Sequence, residues 1–147
     1  MKPWELTETL SLAEGRLVRE HLIETYGNVN PEFVLGAHAC YDSRITYGVA
    51  KLPVVESHSE EELPWDTFKI LLDELAARNL TGNAARNAVA DIAARSTEAQ
   101  WKHWYSRILE RDFKCGVGLD TLNRVLPAAD KIFKFECQLA KSLDDAE

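Results

Sequence analysis

Residues 80–113 read LTGNAARNAVADIAARSTEAQWKHWYSRILERDF, and the reading of this stretch decides the fold class. Thr81 stands where an N-cap belongs, ahead of an alanine-rich run that reads as helix through about Ala94. Thr97-Glu98-Ala99-Gln100 then has the form of a capping box, which opens a further helix to about Phe113. On that helix Trp101, Trp104, Tyr105 and Ile108 share one side and read as core. His103, Arg107, Arg111 and Lys114 recur at steps of four, four and three on the opposite side, which makes a basic stripe. Gly116 and Gly118 are expected to close the helix, and a short one from Asp120 ends at Leu126-Pro127.

The flanks are helical by the same test. Leu6, Leu10, Ala13 and Leu17 recur at three- and four-residue steps, continued by Val18, Leu22 and Tyr26. The spacing predicts one helix starting between Thr7 and Ser11 and stopped by Gly27. Asn30-Pro31 restarts a helix with Asn as cap and Pro at its first position, burying Phe33, Val34, Ala37 and Tyr41. Residues 42–64 are irregular, and Ser57–Glu62 reads as a surface loop. Pro64-Trp65-Asp66 opens a helix whose Phe68, Leu71, Leu72 and Leu75 face inward. Ile132 to Ala140 alternates in places and reads as a C-terminal strand with no partner in the chain. The expectation is an all-α, compact multi-helix domain over residues 1–131, with 132–147 leading out of it.

The 147 residues, 46% hydrophobic and 28% charged, suit a single globular domain. No apolar run is long enough for a spanning helix, so no membrane partner is expected. The N-terminus lacks a secretory apolar stretch, and the expected compartment is the cytoplasm. Cys40, Cys115 and Cys137 are widely spaced and form no Cys-x-x-Cys, so they read as reduced, buried side chains. His38, Cys40 and His103 lack metal-ligand spacing, and no metal site is expected.

The formal charge of −7 argues at first against a nucleic-acid partner, but it is unevenly spread. Residues 1–75 hold 6 Lys/Arg and 14 Asp/Glu, whereas residues 76–134 hold 10 Lys/Arg and 6 Asp/Glu. Two places in the basic part could meet phosphate. Thr81-Gly82-Asn83 sits at a helix N-terminus, where backbone N–H groups lack internal partners and the dipole favours an anion. A plain N-cap after a tight turn explains the same residues. The basic stripe runs into Lys114-Cys115-Gly116-Val117-Gly118, whose glycines permit close backbone approach. A solvated face with an ordinary glycine cap explains that pattern equally. No phosphate-binding Gly-x-x-x-x-Gly-Lys loop, nucleophile elbow or His-Glu-x-x-His is present, and no catalytic residue is assigned.

Three segments together carry a family resemblance. Arg78–Ala85, Ile108–Gly118 and Asn123–Pro127, in that order and spacing, resemble the N-terminal DNA-binding domain of ATP-dependent DNA ligases, most closely those of tailed bacteriophages. Tyr41–Arg44, Tyr47-Gly48 and Lys51–Pro53 match more loosely, so the resemblance covers about residues 33–127. It implies an all-helical domain on the minor-groove side of nicked double-stranded DNA, gripping the backbone without reading sequence. The DNA-binding residues it and the basic stripe imply are Thr81, Gly82, Asn83, Arg107, Arg111, Lys114, Gly116, Gly118 and Thr121.

The family's adenylation motif, Lys-x-Asp-Gly, is absent, and the chain contains no Asp-Gly pair. The expectation is a ligase fragment, inactive alone and needing no cofactor of its own. The resemblance implies ATP and Mg2+ for the parent enzyme, whose nick sealing serves replication, repair and recombination in the host cytoplasm if phage-encoded. A monomer is expected. The acidic segments Glu5–Glu24 and Glu60–Glu62 offer a second reading, a protein-interaction surface for a replication partner such as a sliding clamp.

Overall fold

The computed structural model describes residues 1–134, and among these the regular structure is entirely helical. In chain order the elements are α1 (Pro3–Leu12), α2 (Arg16–Leu22), α3 (Pro31–Tyr41), α4 (Trp65–Ala76), α5 (Gly82–Arg95), α6 (Glu98–Gln100), α7 (Ser106–Glu110) and α8 (Leu119–Val125). A π turn, Ile23–Gly27, extends α2, and another, Trp101–Tyr105, joins α6 to α7 in one continuous helical run. A 3-10 turn follows at Ala128–Asp130.

The π turn at Trp101–Tyr105 explains how a single run buries adjacent aromatics. A wider turn shifts the later residues around the axis. Trp104, Tyr105, Ile108 and Leu109 are thereby all buried. The buried Thr7 hydroxyl of α1 donates to His103 O at 2.6 Å, satisfying a carbonyl within this turn. Around Trp104 the core is aromatic: Phe33 stacks on it at 5.8 Å between ring centroids, and Phe113 lies 5.2 Å away. Such pairs contribute about 0.5–1.5 kcal/mol each beyond their buried area. The Trp104 indole N–H donates to Glu32 at 2.9 Å, while burial, the larger influence, raises that carboxyl above its ordinary range. Gly36 of α3 is required here, because a Cβ would stand 2.2 Å from Cζ2 of Trp104.

Capping fixes the boundaries. Asn30 accepts from the Phe33 N–H at 3.0 Å to start α3. Thr97 and Gln100 form the capping box of α6. Buried Gln100 also donates to Leu63 O and accepts from Leu63 N, and Tyr105 donates to Leu63 O, pinning the end of the irregular segment to the helices.

Four points differ from the sequence expectation. The first predicted helix is two helices: it starts at Pro3, and Gly15, at φ +95°, breaks it. Leu17 and Val18 accordingly lie exposed instead of continuing the buried stripe. Arg19 of α2 folds back and donates to Ala13 O and to Leu10 O, which also accepts from the Ala13 N–H at the end of α1. The run through α2 does end at Gly27, as expected, but not through a left-handed conformation. The smallness of Gly27 serves close packing, since a Cβ would meet the Phe33 ring at 3.0 Å. The run from Glu98 ends at Glu110, closed by Arg111 in the left-handed region at φ +63°, not by Gly116 or Gly118. Finally, Ile132 to Lys134 carry no strand; Asn123 exchanges two hydrogen bonds with the Ile132 backbone instead. The rest of the expected strand, residues 135–140, lies outside the described residues.

Candidate nucleic-acid interface

Two adjacent concavities share one wall, the loop Gly48–Lys51 that follows α3. The larger, about 730 Å³, lies between this loop and the turn that leaves α7, where Arg111 and Lys114 line it. The smaller, about 270 Å³, lies between the same loop and the start of α5, where Gly82 and Arg86 line it. The two stretches read from the sequence as phosphate sites are thus brought to either side of one loop.

The start of α5 is built openly. Thr81, Gly82 and Asn83 are all exposed, and the Thr81 side chain makes no cap hydrogen bond. Gly82 takes φ +56°, and the space where its Cβ would stand is empty to 4 Å. The amides of this first turn therefore keep their donor capacity toward solvent, at the positive end of the helix dipole. One turn on, Arg86 is exposed and has no ion-pair partner among the described residues, and the same holds for Lys51.

The opposite wall is more constrained. Arg111 and Lys114 both sit in the left-handed region, at φ +63° and +53°. Asp112 shapes this turn by accepting from the Lys114 N–H at 2.9 Å. Lys114 Nζ lies 3.2 Å from Glu110, and Arg107 is 3.8 Å from the same carboxylate. These are partly exposed pairs of small energy, which a phosphate could displace. Arg111 is half-buried, and its guanidinium donates to the carbonyls of Ile45 and Asp42.

The remaining sequence-derived residues line neither concavity. Gly116, at φ +81°, lies under the Arg19 guanidinium, whose Cζ would be 2.7 Å from a Cβ there. Gly118 opens α8 in extended conformation with free space around it, and Thr121 is half-buried on α8. Lys51, Arg86, Gly48 and Arg78 are not among the contact residues named from the sequence, although Arg78, Gly48 and Lys51 lie in segments that carry the family resemblance. Arg86 was legible in principle, one helical turn beyond Gly82. Lys51 stands in an irregular stretch where neither periodicity nor capping marks it, and only the loose family match at Lys51–Pro53 touches it.

Titration around the groove follows from burial and pairing. Asp42 is held below the usual carboxylate range chiefly by hydrogen bonds from Arg44, against the opposing effect of burial. Burial raises the Cys40 and Tyr47 groups despite the nearby Arg111 charge, and pushes Cys115 up to about 11. Neither described cysteine is a thiolate at neutral pH. Among the described residues no group of three or more His, Cys, Asp or Glu side chains is placed to hold a metal ion. No described helix is long and apolar enough to cross a membrane.

Comparison with known proteins gives a likeness in structure. No protein-family model matches the chain, and no curated protein sequence does. The solved chain "Pmar-Lig_Pre." is similar with a TM-score of 0.83 and 29% identity over 90% of this chain. "Pmar-Lig_PreS3" is similar with a TM-score of 0.80 and 31% identity over 85%. This chain spans only 31% and 29% of their respective lengths.

Proposed function

We propose that the paired concavities bind the sugar–phosphate backbone of nicked double-stranded DNA without regard to sequence. The chain would serve as the DNA-binding module of an ATP-dependent DNA ligase. The observation that carries this reading is the shared loop. Gly82 and Arg86 on one side, Lys51 on the loop, and Lys114 on the other form a continuous run of phosphate-binding groups. Backbone amides and separate cations of this kind bind phosphate, and phosphate contacts position a duplex without carrying sequence information. The "Lig" in the names of the two structural neighbours, taken as ligase, supports the same reading. The smaller concavity is lined by Lys51 and Arg86 and by no carboxylate, while in the larger Glu110 is paired with Lys114 and Asp112 accepts from the Lys114 N–H. No Lys-x-Asp-Gly occurs in this sequence, and the proposal concerns DNA binding, not the sealing step.

Fluorescence anisotropy tests the proposal, using two nicked, 5′-phosphorylated duplexes of unrelated sequence. The expected result is equal affinity for both within about twofold, falling steeply as salt rises. Absence of binding at low salt, or a tenfold preference for one sequence, would overturn it.

A further inference from the structure

We infer that Arg111 is a positioning residue that sets the loop carrying Lys51, not a phosphate ligand itself; this rests on the reading of the groove as a DNA-backbone site. The basic stripe puts Arg111 among the candidate contacts, yet the geometry turns its guanidinium inward. Nη2 donates to Asp42 O at 2.8 Å and Nη1 to Ile45 O. Two donors of one rigid plane on carbonyls three residues apart fix the course of the chain as it leaves α3.

A second arginine holds the same segment further along. Arg78 lies just past the end of α4 and, like Arg111, adopts φ +63°. Its Nη2 donates to the Thr46 hydroxyl at 2.7 Å and its Nη1 to Leu75 O at 3.3 Å. The same guanidinium lies where a Cβ of Gly48 would be, 2.2 Å from Nη1. Two helix ends thus each send an arginine from a left-handed backbone position onto residues 42–48. Three residues on, Lys51 has no ion pair of its own to hold it. The backbone leading to it is held by these two side chains, and left-handed non-glycine residues persist only where surrounding structure fixes them.

The test separates a brace from a ligand by conservative substitution in the full chain. Arg111→Lys keeps the charge but cannot span both carbonyls; Arg111→Gln loses both properties. Binding to a nicked duplex is measured for each, for Lys51→Ala and for Lys51→Ala combined with Arg111→Lys. Hydrogen exchange is followed over residues 44–51. The expected result is that Lys and Gln at position 111 weaken binding alike, by about three- to tenfold, and both speed exchange in the loop. In the Lys51→Ala background Arg111→Lys should then cost less than about a further twofold, because its effect passes through Lys51. Arg78→Lys reads the same loop through Thr46 and replaces any position-111 variant that fails to fold. Near-normal binding by Arg111→Lys, or factors that multiply in the double variant, would overturn the inference while leaving the DNA-binding reading standing. An unsubstituted chain that does not bind at low salt would remove that reading, and this inference with it.

Discussion

Gly36 and Gly48 each lie where an added Cβ would come within 2.2 Å of a neighbour, but the neighbours differ in kind. At Gly36 it is the Trp104 ring, fully buried and packed against Phe33 and Phe113. At Gly48 it is the tip of Arg78, a long side chain at the surface that also holds the Thr46 hydroxyl. Around Trp104 the chain is fixed by close-packed aromatic surface on three elements. Around Lys51 it is fixed by guanidinium groups on carbonyls and a hydroxyl, beside an open groove. The first arrangement has no room to yield, because interiors are packed as densely as organic crystals. The second yields locally. Damage to the Trp104 side should therefore appear as lost stability, and damage to the Lys51 side chiefly as lost binding.

The largest effect is expected at Gly36. Gly36→Val should destabilise by about 3 kcal/mol, since the ring it meets has no alternative rotamer space. Urea unfolding followed by tryptophan fluorescence measures this, and a loss below about 1 kcal/mol would mean that the core is looser than described.

Gly48→Ala comes next, combining the Arg78 collision with a φ of +70°. A stability loss of about 1–2 kcal/mol is expected from the left-handed backbone. Affinity for a nicked duplex should fall by more than the unfolded fraction explains. Equal effects of the two glycine substitutions on binding, at matched stability, would erase the contrast between the two sides.

The smallest effect concerns acid. Arg44 holds the Asp42 carboxyl below its ordinary value of 3.8. A depressed carboxylate stabilises the folded chain above that ordinary value, and the contribution is lost as pH falls through the folded value. Asp42→Asn should therefore lower stability above about pH 4, neutral pH included, and the difference from the unsubstituted chain should vanish as pH falls through the folded value. Because the Arg44 side chain is 63% exposed, the difference is expected to be small and to shrink with added salt. Denaturant midpoints across the acid range would measure it.

The same division governs what could be read from the sequence. The Trp104 side was legible: the Asn30-Pro31 start, the Thr97–Gln100 capping box and the inward faces of α4 and α7 follow from local spacing and capping chemistry. The first helix was misread because its apolar stripe, Leu6 to Leu17, continues across Gly15, and periodicity does not register a break that leaves the pattern in phase. Thr81, Gly82, Asn83 and Lys114 were legible as candidates because they lie at helix ends. Lys51 and the inward turn of Arg111 were not. They depend on Asp42, Ile45, Thr46 and Arg78, which lie 32 or more residues from the partners they meet, and no short-range pattern encodes such contacts.

The most direct measurement is the salt dependence of nicked-duplex binding, for the unsubstituted chain and for the triple variant Lys51→Ala, Arg86→Ala, Lys114→Ala. Each phosphate contact contributes about −0.9 to the slope of log affinity against log salt. The triple variant is expected to have a slope flatter by nearly three such contacts, with unchanged unfolding, because all three side chains are exposed. A slope identical to that of the unsubstituted chain would contradict a DNA backbone seated in this groove.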